Sequence, residues 1–147
     1  MALKEKLESD VKKAMLAKNE VVRDTLRLVL SELKRLDIQE GKEITPEIEQ
    51  DVLLKAVKQR QQAIDEYLKA ARPDLADKEK AEMAVIQAYL PRPLNEDETR
   101  SVVMSLMAEL KLTAKKDMGT LMKAVMAKYK GQVDGKGVQK ILGELLT

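Results

Sequence analysis

The chain has 147 residues and a formal net charge of +2; 35% of it is charged and 2% aromatic, with three tyrosines and no Phe, Trp, His or Cys. That length holds one ordinary domain, or a body with a small satellite unit, and the core must be aliphatic. The composition excludes a disulfide framework, a thiolate nucleophile and a Cys-ligated metal site, and it predicts a soluble protein of the reducing cytoplasm.

The opening stretch is charged in every turn, unlike a secretory h-region, and no apolar run is long enough to span a bilayer. From Leu3 the apolar residues fall at 3, 7, 11, 14 and 15, the spacing of one helix face, which predicts a first helix to about Lys18. Asn19 breaks it. Val22, Leu26, Val29, Leu30, Leu33 and Leu36 then draw a second stripe, ending at the capping residue Gly41. Thr45-Pro46-Glu47 reads as an N-cap, a first-turn proline and an acid at the positive helix end. The stripe that follows, from Ile48 to Ala71, predicts a long helix of about 26 residues. Pro73 ends it, and Asp74 with Asp77 reads as the cap of a fourth helix that stops before Pro91.

Pro91-Arg92-Pro93 is where helix is hardest to continue, so the boundary falls there. Asn95 and Glu98 form a capping box for a fifth helix; Met118 to Tyr129 carry a sixth, closed by Gly131, and Asp134 caps a seventh running to Leu146. The expected fold is all-α, with an N-terminal helical body of about four helices over 1–91 and a three-helix tail over 92–147.

No nucleotide loop, nucleophile elbow or metalloprotease pattern is present, so no complete catalytic site, cofactor or metal centre is expected in the chain alone. Pairs such as Glu47 with Asp51, or Glu79 with Glu82, could share a helix face and bind a hard cation, but charged helices carry such pairs so commonly that no site is expected there. Charge is unevenly spread. Residues 1–91 have a net charge of −1 and 92–147 of +3, and within 111–140 eight lysines face only Asp117 and Asp134, a net +6. Such a field attracts polyanions, although a merely solvated basic surface would look the same. With aromatics nearly absent, recognition would rest on shape and phosphate contacts rather than on base stacking.

Three further features leave two readings each. Lys130-Gly131-Gln132-Val133-Asp134-Gly135-Lys136-Gly137 is either a turn with glycine caps or a phosphate cradle at a helix start, with Asp134 competing for the same amides. Five of the eight methionines lie between 104 and 126, as core filling or as an adaptable groove. Arg23 and Arg27 on one face, and Arg60 on the apolar stripe of the long helix, either pair with acids or form a ligand site at the junction of body and tail.

The segments Tyr89-Leu-Pro-Arg-Pro-Leu-Asn-Glu-Asp-Glu, Lys116-Asp-Met-Gly119, Lys130-Gly131 and Asp134-Gly135, with Arg23-Asp-Thr-Leu-Arg27 and Val57-Lys-Gln-Arg60 in the body, resemble the YqeY family over essentially the whole chain. The family's tail is similar to the C-terminal domain of the GatB component of the tRNA-dependent amidotransferase, where it is a tRNA-binding appendage. The resemblance implies a non-catalytic tRNA-binding accessory protein, with Lys116, Gly119, Lys130, Gly131, Asp134, Gly135 and Lys136 on the contact surface. The alternative it implies is an adaptor or accessory component of an amidotransferase or aminoacyl-tRNA synthetase complex. Any carbon–nitrogen ligase activity would come by association with such partners. Arg92, Lys111, Lys115 and Lys123 lie outside the motif and enter on charge alone.

Overall fold

The computed structural model describes residues 2–147 and is helical throughout, with no strand among them. The chain divides into two compact units, one ending at Leu90 and one spanning Pro91–Thr147.

In the first unit α1 (Leu3–Leu16) and α2 (Glu20–Lys34) form a hairpin. The turn is set by Lys18, at φ +57°, and by the Asn19 side chain, which accepts a hydrogen bond from the Val22 amide at 3.2 Å. Asn19 is thus both the break and the cap. α2 does not run as an α-helix to Gly41; it passes at Arg35 into a π turn, Arg35–Gln39. In this turn the Arg35 carbonyl accepts from the Glu40 amide five residues on, and the Arg35 guanidinium holds Glu32 at 2.7 Å and Glu40 at 2.5 Å.

α3 (Pro46–Lys69) starts as expected, with the Thr45 side chain accepting from the Ile48 amide and Pro46 in the first turn. It is 24 residues long, about 36 Å at the α-helical rise. Ala71 at φ +55° turns the chain into α4 (Pro73–Gln87). The expected Asp74 cap does not form, because the helix already begins at Pro73 with Arg72 in the cap position; Asp74 stands in the first turn, held by the Arg72 guanidinium at 3.1 and 3.2 Å. Leu7, Val11, Leu26, Val29, Leu30, Leu33, Val52, Leu53 and Ile86 make an aliphatic core. Tyr89 donates to Asp10 and lies under the Lys6 ammonium, which ties the end of this unit to α1.

The second unit packs α5 (Glu96–Leu110), α6 (Met118–Lys128) and α7 (Gly135–Leu145) around Val103, Leu106, Leu121, Val125, Val138, Ile141, Leu142 and Leu146. The Asn95–Glu98 capping box is complete in both directions. Backbone pairing closes the unit at two places: Leu94 donates to the Gln132 carbonyl at 2.8 Å, and Thr113 accepts from the Thr147 amide at 3.0 Å while Lys115 donates back to Thr147. The entry segment is therefore pinned, since the Gln132 side chain also donates to the Arg92 carbonyl and Glu98 holds the Arg92 guanidinium.

Candidate nucleic-acid interface

α6 presents its apolar side inward: Leu121 and Val125 are fully buried, and Met118, Met122, Met126 and Tyr129 pack against the same core. Met107 does likewise from α5, so the tail methionines fill core, except Met104, which is half exposed. The opposite side of α6 is left to solvent, and there Gly119, Thr120, Lys123 and Ala127 form an exposed row. Lys116 in the short turn before the helix and Lys130 in the turn after it are exposed too, each seven residues from Lys123 in the chain. The 11 residues of α6 advance about 16 Å, so Lys116 and Lys130 stand at opposite ends of the helix with Lys123 between them, rather than gathered at a point. Between them stand small side chains, and open space surrounds the position where a Cβ at Gly119 would lie.

The glycine-rich segment resolves toward the turn reading. Gly131 has φ +79°, which a side chain would strain, so its role is to close α6. Asp134 caps α7 by accepting from the Lys136 amide at 3.3 Å, occupying one of the donors a phosphate cradle would use. Gly135 and Gly137 are not in the left-handed region, and nothing crowds their missing side chains. Lys136 is exposed in the first turn of α7, at the same end of the unit as Lys130; Lys116 lies at the opposite end of α6. Lys123 is the residue that motif reasoning misses. Its signal is its place midway between Lys116 and Lys130, seven residues from each.

Arg23, Arg27 and Arg60 do not form one cluster. Arg23 is bonded to Asp24 at 2.8 Å, which holds the Asp24 carboxyl below its usual range. Arg60 is 9% exposed; it donates to the Ala56 carbonyl and its Nε lies 3.4 Å from Glu82 of α4. Burial, and then the neighbouring Glu82, push the Glu79 carboxyl up, so Glu79 and Glu82 do meet, but over an arginine. Arg27 has a different environment, with the Met15 sulfur at 3.5 Å from its guanidinium. Among the described residues no group of three or more His, Cys, Asp or Glu could hold a metal ion, and no helix is long and apolar enough to cross a membrane.

These observations define an all-helical protein of two small units, the second bearing a lysine-lined helix face. The chain belongs to the family of Yqey-like proteins, whose model matches residues 4–146. Among curated proteins it is similar to the "Altered inheritance of mitochondria protein 41, mitochondrial" of Lachancea thermotolerans, 37% identical over 108 residues, covering 71% of this chain and 58% of that protein. The protein of the same name from Eremothecium gossypii is 41% identical over 85 residues, covering 57% of this chain and 46% of the relative. That of Kluyveromyces lactis is 35% identical over 109 residues, with shares of 71% and 58%. The chain thus spans about half the length of the curated relatives it matches. Their names are those of mitochondrial proteins, which overturns the expectation of a plainly cytoplasmic chain. The expectation failed because a lack of cysteine suits any reducing compartment and selects none.

Proposed function

We propose that the chain is a non-catalytic tRNA-binding accessory protein, and that its contact surface is the outward face of α6 with the turns at its two ends. One observation carries this reading: an exposed row in which Lys116, Lys123 and Lys130 alternate with Gly119, Thr120 and Ala127. Long cations reach phosphate oxygens while small residues let a backbone come close, and no ring is needed for stacking. The net +6 of residues 111–140 and the resemblance of the tail to the amidotransferase appendage support the same polyanion. An aminoacyl-tRNA synthetase or an amidotransferase would be the protein that such a module serves.

The test is tRNA affinity as a function of salt. Three phosphate contacts predict a slope of log K against log salt of roughly −2 to −3, and changing Lys116, Lys123 and Lys130 together to Ala should flatten it without loss of helicity. A triple variant that binds as tightly and with the same slope would refute the assignment.

The adaptor reading has its own observation, a cleft of about 600 Å³ between α2 and α3, floored by Val29, Leu36, Ile48 and Val52 with Leu28 exposed at its edge. Capture of a protein partner that is lost when Leu28 and Ile48 are changed to charged residues, with tRNA affinity unaffected, would favour it.

A further inference from the structure

Arginine in this chain is almost always spoken for. Arg23 is paired with Asp24, Arg35 with Glu32 and Glu40, Arg60 with Glu82, Arg72 with Asp74, Arg92 with Glu98 and Arg100 with Glu144. Arg27 is the exception among the described residues. The acid one turn before it, Asp24, is already bonded to Arg23, and the contact made by the Arg27 guanidinium is to the thioether of Met15, a weak acceptor.

The same arginine lines a depression of about 440 Å³ between α1 and α2. Lys12 and Lys34 line it too, both exposed and neither in an ion pair among the described residues, together with the Ser31 side chain. Glu8 is the one acid in the lining, so the site carries three cations against one anion. Its floor, Val11 and Leu30, belongs to the buried core and is held by the packing of the hairpin. A planar guanidinium fork, two ammonium groups and a hydroxyl around a concave surface are the donors that a phosphate group takes, and the fork fits its oxygens two at a time.

We propose that this depression is a phosphate-binding site on the first unit, separate from the lysine row of the tail. Its ligand is the phosphate of either a nucleic-acid backbone or a free polyphosphate. The site stands without the tRNA reading of the tail; only the nucleic-acid source of the phosphate rests on that reading. The body, with its net charge of −1, is the half that charge counting passes over, since the sequence does not show that Lys12, Arg27 and Lys34 share one cavity.

The experiment follows the Arg27 side-chain Nε–Hε signal of the full chain by NMR during titration with sodium tripolyphosphate at constant ionic strength. The Arg72 signal serves as internal reference, because that arginine is exposed but paired with Asp74. A saturable shift at Arg27 and none at Arg72 is the expected result, with the tripolyphosphate affinity of parent and R27Q compared by calorimetry and reduced about tenfold or more in the variant, as the loss of a charge-assisted hydrogen bond implies. R27Q should melt close to the parent, since Arg27 is exposed and gives up a thioether contact and a weak attraction to the Asp24 carboxylate, which Arg23 still holds.

In a second arm tRNA replaces tripolyphosphate. If R27Q flattens the tRNA salt slope by about 0.7 to 0.9, the phosphate belongs to a nucleic-acid backbone; if only tripolyphosphate responds, it is a free polyphosphate. Tripolyphosphate binding at Arg27 with no tRNA binding anywhere would sink the tail reading and leave this site standing. A shift at Arg27 that does not saturate, or a calorimetric tripolyphosphate affinity that R27Q leaves unweakened, overturns the proposal.

Discussion

A guanidinium taken out of water needs a partner, and Arg60 finds Glu82 across the α3–α4 packing while Glu82 in turn crowds Glu79. Replacing Arg60 by Met removes the cation from two neighbouring carboxylates. The loss should be about 2 to 3 kcal/mol in urea unfolding, below the figure for a fully buried pair because the Glu82 side chain is 19% exposed. The double variant R60M/E82M should recover most of that; a double variant as unstable as the single one would mean that shape, not charge, is what Arg60 supplies. The pH dependence has a definite sign. Glu79 is pushed up by burial first and by Glu82 next, so the folded chain holds its proton more readily than the unfolded one. Stability tied to Glu79 therefore rises as pH falls through its raised value toward the ordinary carboxylate range, and the deficit of R60M should narrow on acidification.

Among the elements, α5 shows how a start is built and how it fails. Arg92 and the Asn95 amide together hold the Glu98 carboxyl below its ordinary range, so the stabilisation is complete above the unfolded value and is lost as pH falls through the lower, folded one. Thermal melts from pH 6 to pH 3 should show the parent losing more stability than E98Q, and parallel curves would count against the capping box. α6 and α7 offer a contrast between two glycines with equal room for a methyl group. In α7, G143A should raise stability by about 0.5 to 1 kcal/mol and leave tRNA affinity alone; in α6, G119A should stabilise by less, being in the first turn, and should weaken tRNA binding. Equal affinities for the two variants would remove the close-approach argument. Elements of this kind were legible in the sequence wherever a cap is local: Thr45, Asn95 and Asp134 act on amides two or three residues away. Asp74 misled because the helix starts one residue earlier, at Pro73 with Arg72 in the cap position, which leaves Asp74 inside the first turn. The π turn after α2 was not legible either, since nothing local in the sequence marks that the Glu40 amide reaches the carbonyl five residues back, at Arg35. The lysine row could be counted in the sequence, but its exposure depends on which side of α6 the other two tail helices cover.

At the scale of the molecule, two aliphatic cores lie in two units, and each can be asked to stand alone. The second unit is small, and a chain of that size buries only about 60% of the surface it exposes when unfolded, so its margin should be a few kcal/mol. Two features favour independent folding. Its entry segment is anchored within the unit through Leu94 and Gln132, and its C-terminus is paired to the α5–α6 loop through Thr113 and Thr147. Expressed alone, Pro91–Thr147 should show helical circular dichroism and unfold cooperatively at lower urea than the first unit. Because Lys116, Lys123 and Lys130 all lie within it, the fragment should keep the tRNA salt slope of roughly −2 to −3. In the fragment ending at Leu90 the one phosphate site proposed is the depression around Arg27, so its slope should be smaller and should vanish in R27Q with Lys12 and Lys34 also changed. A second unit that folds alone but leaves tRNA unbound would separate the two questions: the division of the chain would hold, and the lysine row would be no more than a solvated helix face.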